Sequence, residues 1–254
     1  MFQIHVTYRS ILLVLALFVI TFQYFVPYQR GFNCSDRTIQ HPFKPLLVPS
    51  KWLFIFSLLV PLIFIFICKR LFSASNRSMG TELTKFAFGF IVNLTFTEIT
   101  KRTFGRLRPH TYHFCDLSRY CINGPSDIWI SSFECINADS NEIMLTNARL
   151  SFFSGHSSLG SFAGTYLTWF IHRYFIVQFV QPSKNQIRLI LSMFIELSIF
   201  LVYLYPGYTQ WLIYWHHLTD VLTGFTVGIF IATATFHLVN QIEIPSVRPQ
   251  TKTH

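Results

Sequence analysis

The stretch YTQWLIYWHHLTD, residues 208–220, places two adjacent histidines and an aspartate directly before a long apolar segment. Ionisable groups beside a membrane-length segment are expensive to bury, so they indicate a functional site. His216 and Asp220 are four residues apart and share one helical face, where a carboxylate on one imidazole nitrogen makes the other nitrogen more nucleophilic. His217 points roughly 100° away around the helix, which favours a packing role. The alternative is a His216–Asp220 pair that only stabilises a helix.

A basic cluster, KRTFGRLRP, covers residues 101–109. Lys101 and Arg108 are seven residues apart, so on a continuous helix they share one face and lie about 10 Å apart along it. Pro109 disfavours helix at Arg108, which lets the guanidinium fold back toward Lys101. Glu98 precedes Lys101 by one turn and can orient it as an ion pair. The alternative for this cluster is a set of charges that ends a membrane segment.

A third cluster, RLSFFSGHSSLG, covers residues 149–160. Ser154 and Gly155 at a helix start leave backbone N–H groups that point outward, and such an arrangement binds phosphate-like anions. His156 in the first turn is placed to exchange a proton with the bound group. The alternative is an ordinary N-cap with a histidine at the membrane interface.

The composition is that of a membrane protein. Of the 254 residues, 51% are hydrophobic and 18% aromatic, and 12% are charged, whereas soluble domains are about 25% charged. The formal net charge of +9 fits Lys and Arg at the membrane ends of helices, because no basic run with interleaved aromatic residues occurs in a polar context. Nucleic acid is therefore not expected as a partner.

Six apolar windows approach the roughly 20 residues that a helix needs to cross a bilayer. They are residues 10–29, 52–68, 86–104, 150–172, 189–205 and 221–242. The first window lacks the small-residue cleavage site of a signal peptide and ends in aromatic residues, so we expect a retained helix. The sequence thus predicts an all-α, polytopic membrane protein with a bundle of six transmembrane helices. A single domain would cover residues 1–242, followed by a flexible cytosolic tail over residues 243–254.

An even number of helices places both termini on the same side of the membrane. With cytosolic termini, the 20 Lys and Arg residues divide evenly between the two sides. Long loops weigh little in the positive-inside rule, and discounting residues 103–149 leaves a preference for cytosolic termini. Cys68 would then lie inside and four cysteines outside, which is compatible with two disulfides in any of three pairings or with free buried thiols. These four are Cys34, Cys115, Cys121 and Cys135.

In this topology the three clusters lie at one membrane face. The third predicted helix leaves the membrane there, and the fourth and sixth predicted helices enter it there. Two cations, a nest of backbone amides and two histidines that meet at one face describe a site for a phosphoryl group. One shared site explains the three clusters better than three separate structural roles.

The order Lys-x6-Arg-Pro, Ser-Gly-His and His-x3-Asp resembles the type 2 phosphatidic acid phosphatase superfamily. The resemblance is closest to its animal lipid phosphate phosphatases, and it extends from about residue 27 to residue 228. The segments PYQRGFNCSD, HPFK, GRLRPH, CDLSRYC, RLSFFSGHSS and HHLTDVLTG are similar to their loop and catalytic segments.

This resemblance implies a function and a role for each site residue. His216 would be the nucleophile that forms a phosphohistidine, Asp220 would hold it, and His156 would protonate the leaving alcohol and then activate water. The phosphoryl oxygens would be bound by Lys101, Arg108, Ser154 and Gly155. The resemblance also implies a six-helix bundle with an extracytoplasmic active site, in a plasma membrane or endomembrane, with no metal and no cofactor. The expected partners are membrane lipids and lipid phosphates, namely phosphatidate, lysophosphatidate, sphingosine 1-phosphate and ceramide 1-phosphate, and self-association is compatible with this picture.

The sequence departs from the family pattern at one position. The family has Ser-Arg upstream of the nucleophilic histidine, and here those positions are Thr209 and Gln210. Gln for Arg removes a charged, bidentate phosphate clamp and leaves Gln210 as a neutral substrate-binding donor. Arg102 and Arg106 lie off the Lys101 face if that helix continues, so neither is expected to substitute for the missing arginine.

Two function classes follow from this departure. The retained histidines and Asp220 favour an active lipid phosphatase, because they include a nucleophile that a binding protein does not need. The loss of one transition-state donor, about 10²–10³-fold in rate, would slow such an enzyme without silencing it. The alternative is a catalytically silent homologue that binds lipid phosphates. A further hypothesis is a transporter, or a metal site made of His216, His217 and Asp220.

Overall fold

The structure, a computed structural model, describes residues 25–72, 76–122, 127–137, 141–173 and 186–241. Most of the first predicted helix and the predicted tail over residues 243–254 lie outside the described residues. The described part is mainly helical, as the sequence predicts, with a small two-stranded sheet.

Eight α-helices and two short strands follow one another along the described ranges. The helices are α1 (Ser50–Phe54), α2 (Val60–Phe72), α3 (Asn76–Phe104), α4 (Thr111–Phe114), α5 (Glu142–Asn147), α6 (Gly155–Ile171), α7 (Gln186–Leu212) and α8 (Leu218–Gln241). The strands are β1 (Phe32–Asn33) and β2 (Trp129–Ile130). A π-helical turn, Ile55–Leu59, joins α1 to α2.

Three stretches within the described ranges are long and apolar enough to cross a membrane. They are Ser50–Leu71, Leu189–Leu212 and Leu218–His237, and they match the second, fifth and sixth apolar windows. The third and fourth windows are also helical, as α3 and α6. However, α3 contains several charged residues and α6 has 17 residues. The described part therefore supports a helical membrane protein, with three of the six predicted spans evident from length and composition.

Helix α6 packs against α3, α7 and α8 and is almost completely buried. Glycines allow the neighbouring helices to approach closely. A Cβ at Gly160 would lie 2.4 Å from the carbonyl oxygen of Tyr203 on α7, and a Cβ at Gly228 on α8 would lie 2.1 Å from Ser161 Oγ. Small residues at such contacts let membrane helices pack backbone against backbone. This packing fixes the start of α6 relative to α7 and α8.

Aromatic side chains fill the space between α3 and α6. Phe86 and Phe90 on α3, together with Phe162 and Tyr166 on α6, are almost inaccessible to solvent. The ring of Phe86 lies 5.5 Å from that of Phe162 and 5.1 Å from that of Tyr166. Such ring pairs add attraction beyond the burial of apolar area. They hold α3 in register with α6, so the C-terminal end of α3 lies beside the N-terminal end of α6.

A disulfide module forms outside the long helices, from the described residues of 27–49 and 105–149. Strands β1 and β2 pair antiparallel in it, with Phe32 opposite Ile130. Two disulfides close the module. Their pairing is one of the three that the sequence left open. They join Cys34 to Cys121 and Cys115 to Cys135.

The disulfide module has its own apolar core, which reaches the ends of the long helices. Phe32, Phe114 and Leu107 are buried in it. Ala148 is buried in the same core, and its carbonyl accepts the backbone N–H of Arg108 over 3.0 Å. The module therefore fixes the chain on both sides of the predicted phosphate site.

Candidate active site

Two contacts join the end of α3, the start of α6 and the start of α8. A Cβ on Gly155 would lie 3.1 Å from Lys101 Nζ, so the ammonium group sits directly against the glycine. The backbone N–H of Ser154 donates to the backbone carbonyl of Asp220 over 3.1 Å. Glu98 pairs with Lys101 at 3.0 Å, as the spacing predicts. The structure therefore brings the three sequence clusters together at one end of the helical bundle.

Arg108 links the basic cluster to the histidine cluster. Its guanidinium is buried and donates to three backbone carbonyls, those of Asn147 at 2.7 Å, Trp215 at 3.3 Å and Leu150 at 3.4 Å. The guanidinium also lies 4.8 Å from the centre of the Trp215 ring. Burial lowers the pKa of Arg108 to about 10, so it stays cationic at neutral pH. A fixed positive charge therefore lies next to the residue that precedes His216.

The start of α6 has the features of an anion site. Ser154 is the N-cap, and its hydroxyl accepts the backbone N–H of Ser157 over 3.4 Å. The N–H groups of the first turn have no acceptor within the helix, and the helix dipole adds partial positive charge there. Lys101 lies beside Gly155 in that turn. This end of α6 can therefore accept the oxygens of a phosphoryl group.

His216 is buried, and its hydrogen bonds fix its tautomer. Nδ1 lies 2.6 Å from the carbonyl oxygen of Ser151, which can only accept, so Nδ1 carries the hydrogen. Nε2 then holds the lone pair that a nucleophile needs. Burial, together with the positive charge of Arg108, lowers the pKa of His216 to about 3. The imidazole is therefore neutral at physiological pH.

Asp220 lies close to His216 but does not bond to it directly. Its Oδ2 is 3.7 Å from His216 Nδ1, which is beyond hydrogen-bond distance. The carboxylate instead accepts the hydroxyl of Ser151 over 2.6 Å and the backbone N–H of His217 over 3.1 Å. Arg106 pairs with the other oxygen, Oδ1. The atom that directly orients His216 is the Ser151 carbonyl, and Asp220 acts through Ser151 and at longer range.

His156 is in the first turn of α6, as expected, and its side chain is buried. Its Nε2 lies 2.9 Å from the carbonyl oxygen of Val48, so Nε2 carries the hydrogen. Nδ1 is then the ring atom available for proton exchange. The chain before α1 therefore orients the second histidine of the site.

His217 has a different environment from His216. Its Nε2 lies 3.0 Å from the carbonyl oxygen of Leu107 in the disulfide module. Burial lowers the pKa of His217, so the ring is neutral there as well. The side chain connects the turn before α8 to the module, which is a packing role. The helical face that the sequence predicts for His216 and Asp220 is not formed, because α8 begins at Leu218 and both histidines lie in the turn before it.

Gln210 lies in α7 and is completely buried. Its backbone carbonyl accepts the N–H groups of Trp215 at 2.9 Å and His216 at 3.2 Å. Its side chain is poorly bonded, because Nε2 is 3.5 Å from both Pro206 O and Thr209 Oγ1, and Oε1 has no partner in the described part of the protein. Gln210 thus supports the turn that carries His216, while its side-chain amide has unused hydrogen-bonding capacity.

Sequence reasoning missed Arg106, Ser151 and Val48. Helix α3 ends at Phe104, so the continuous helix that would turn Arg106 away from the site does not exist. Gly105 has a φ of +53°, and a Cβ there would lie 2.0 Å from Tyr28 O, so the chain turns sharply at this glycine. The expectation that Arg106 lies away from the site is therefore corrected. Ser151 and Val48 orient the two histidines through backbone carbonyls, for which residue type gives no signal, and Ser151 also donates its hydroxyl to Asp220.

The protein belongs to the PAP2 superfamily, whose family model matches residues 82–244. This range contains every residue of the site except Val48. Phospholipid phosphatase 2 of Mus musculus is 28% identical over 226 residues, covering 84% of this chain and 77% of the relative. The Homo sapiens protein of the same name is 28% identical over 221 residues, covering 82% and 73%. No solved structure matches the chain.

The family match confirms the resemblance that the three motifs predict. The described residues contain no group of three or more His, Cys, Asp or Glu side chains placed to hold a metal ion. The arrangement holds a neutral, buried imidazole, two cations and a helix N-terminus at one point. Such a set can bind a phosphoryl group and attack it.

Proposed function

We propose that the protein is an integral membrane lipid phosphatase that hydrolyses phosphate monoesters of lipids through a phosphohistidine on His216. The observation that carries this proposal is the tautomer of His216, fixed by the Ser151 carbonyl beside Arg108. Superfamily membership and relatives named phospholipid phosphatases support it. The substrates proposed are phosphatidate, lysophosphatidate, sphingosine 1-phosphate and ceramide 1-phosphate.

The proposed reaction has two steps. Before the first step, His156 Nδ1 takes a proton from the monoanionic phosphate monoester, because the neutral ring carries its own hydrogen on Nε2. In the first step, the lone pair on His216 Nε2 forms a bond to phosphorus as the bond to the lipid oxygen breaks, and His156 Nδ1 passes that proton to the leaving alcohol oxygen. In the second, His156 takes a proton from water as the water oxygen attacks phosphorus. The N–P bond breaks, its electron pair returns to Nε2, and phosphate leaves.

The negative charge of the transferring phosphoryl group needs fixed donors. Lys101, Arg108 and the start of α6 at Ser154 and Gly155 would supply them. Donors held in place before reaction stabilise the transition state without having to reorganise. Gln210 would contribute a neutral amide where the family pattern has a charged guanidinium.

An apolar groove beside the site supports a lipid as the substrate. The groove has a volume of about 720 Å³ and runs between the π-helical region after α1 and the middle of α7. Val48 and Pro206 line it, and their carbonyls contact His156 and the Gln210 amide respectively. Each methylene buried there would add about 0.8 kcal/mol to binding. A lipid chain in the groove would leave its phosphate at the two histidines.

The proposed orientation places the site on the extracytoplasmic side, with both termini cytosolic and six spans within residues 1–242. The disulfide module supports this orientation, because disulfides persist in oxidising compartments and the module packs against the site through Leu107 and Ala148. Residues 243–254 would form a cytosolic tail. The plasma membrane and endomembranes both meet these conditions.

Cysteine accessibility tests the orientation. After mild reduction of intact cells, a membrane-impermeant thiol reagent is expected to label Cys115, Cys121 or Cys135, but not Cys68. Cys68 is unpaired and buried on α2, so denaturing detergent provides the control that makes it reactive. The labelled positions are read by mass spectrometry. Labelling of Cys68 in intact cells would overturn the topology.

Phosphate release in detergent micelles tests the function and its metal independence. The purified protein is expected to release phosphate from phosphatidate in the presence of EDTA, and much faster than from glycerol 3-phosphate, which lacks chains for the groove. The control is the same preparation supplemented with zinc or magnesium. Activity that EDTA abolishes and zinc restores would contradict the metal-free mechanism, and equal rates on the two substrates would contradict the lipid preference.

A catalytically silent lipid-phosphate binder is the second candidate, and Gln210 is the observation that favours it. Without a charged clamp at this position, the site could bind a phosphate and fail to stabilise the transition state. This candidate predicts saturable binding of phosphatidate with no phosphate release.

A further inference from the structure

We propose that Arg106 and Ser151 are positioning residues that hold the nucleophile His216 for phosphoryl transfer. This inference rests on the proposed function and adds two residues to its site. Neither is a fixed residue of the patterns Lys-x6-Arg-Pro, Ser-Gly-His and His-x3-Asp, although both lie within the segments GRLRPH and RLSFFSGHSS that resemble the family. Both act through Asp220 and the backbone, and neither needs to touch the substrate.

Arg106, Ser151 and Asp220 form a closed ring of hydrogen bonds, and His216 is attached to this ring through Ser151. The backbone N–H of Ser151 donates to the carbonyl of Arg106 over 3.0 Å. The carbonyl of Ser151 accepts His216 Nδ1 at 2.6 Å, and its hydroxyl donates to Asp220 Oδ2 at 2.6 Å. Arg106 closes the ring by donating to Asp220 Oδ1. Arg106, Ser151 and Asp220 are therefore each fixed by two partners within the ring, and His216 receives its orientation from the Ser151 carbonyl.

Because these groups are buried, the Asp220 carboxylate depends on its partners in the ring for stability. Asp220 and Ser151 are 0% exposed and His216 is 3% exposed, whereas the Arg106 side chain is 31% exposed. A buried carboxylate is strongly destabilised when its charged partner is removed. Arg106 is the cation that ion-pairs with Asp220 in the described part of the protein. Without it, Asp220 would have to shift toward solvent, and Ser151 and His216 would lose their alignment.

The geometry assigns Arg106 a positioning role and not a phosphate-binding role. Arg106 bonds Oδ1 of Asp220, while the His216 ring faces Oδ2 through Nδ1. The nucleophilic atom Nε2 is on the opposite side of the imidazole from Nδ1. Loss of Arg106 should therefore lower kcat, because attack geometry is realised in the transition state, and leave KM nearly unchanged.

The experiment compares steady-state turnover of phosphatidate with trapping of the phosphoenzyme by alkaline quench. Arg106→Ala and Ser151→Ala are each expected to lower kcat by about 10²-fold, the typical effect of misplacing reacting groups by about 1 Å. Arg106→Lys should recover part of the loss, because an ammonium can still pair with Asp220. The double variant should lose less than the product of the two single losses, because both residues hold the same carboxylate.

Arg37→Ala is the matched control, since Arg37 is an exposed arginine of the disulfide module. It should turn over like the wild type. If Arg106→Ala, folded by its thermal unfolding curve, keeps wild-type kcat, or if it raises KM alone, the positioning role is wrong. If the wild type and Arg37→Ala release no phosphate from phosphatidate, the proposed function itself fails, and this inference falls with it.

Discussion

His216→Ala is expected to abolish phosphate release, while His217→Ala retains most of it. The two histidines are adjacent in sequence, but the structure gives them different partners. His216 Nδ1 is held by the Ser151 carbonyl inside the site, whereas His217 Nε2 is held by the Leu107 carbonyl in the disulfide module. Removing a covalent nucleophile lowers kcat by about 10⁶-fold. His217→Ala should stay within about tenfold of the wild type, equivalent to about 1.4 kcal/mol in the barrier.

The measurement is phosphate release from phosphatidate together with incorporation of radiolabelled phosphate into the protein. The wild type and His217→Ala should both form a labelled phosphoenzyme, and His216→Ala should form none. Because each variant removes one imidazole from the same turn, each is the structural control for the other. Equal loss of activity in the two variants would show that the assignment of roles to the two histidines is wrong.

The convergence of the motifs could be predicted because local signals mark the ends of their helices. Ser154 is a typical N-cap before a long apolar stretch, and Pro109 indicates that Arg108 is not helical, although α3 already ends at Phe104. Helix ends carry the groups that face the membrane surface, so their chemistry is visible in the sequence. For this reason, the placement of Lys101 beside Gly155 follows from the pattern.

The hydrogen bonds that orient the two histidines could not be predicted, because their acceptors are backbone carbonyls. The carbonyls of Ser151 and Val48 orient the two histidines of the site, and every residue carries such a carbonyl. The position of Arg106 was predicted wrongly for a different reason. A glycine inside a helical pattern is compatible with continued helix, so the sequence does not reveal that Gly105 adopts a positive φ and turns Arg106 toward Asp220.

The sequence is equally uninformative about the hydrogen bonds of Gln210. Its residue type shows that a charged clamp is absent, but only the structure shows how its amide is bonded. The side chain is fully buried and its Oε1 is without a partner among the described residues. Neither nearby tryptophan occupies the space of the missing arginine side chain. Trp211 is 40% exposed, and the Trp215 ring packs against the Arg108 guanidinium.

Gln210→Arg is expected to raise turnover of phosphatidate by about 10²–10³-fold, the effect associated with one transition-state donor. The gain should appear in kcat, because charge on the phosphoryl oxygens is stabilised most in the transition state. A buried guanidinium without an anion is destabilising, so the variant should unfold at a lower temperature than the wild type, and added phosphate or vanadate should restore much of the difference.

Two further variants separate charge, shape and volume at this position. Gln210→Lys adds a charge without the planar fork and should gain less than Gln210→Arg, while Gln210→Met keeps the length of the side chain without its polar atoms and should gain nothing. Gln210→Arg combined with His216→Ala should be inactive, because the clamp stabilises attack by His216. A gain that survives the loss of His216 would point to another site or a contaminant. A folded Gln210→Arg protein whose stability responds to phosphate but whose kcat is unchanged would show that the missing guanidinium does not limit this site.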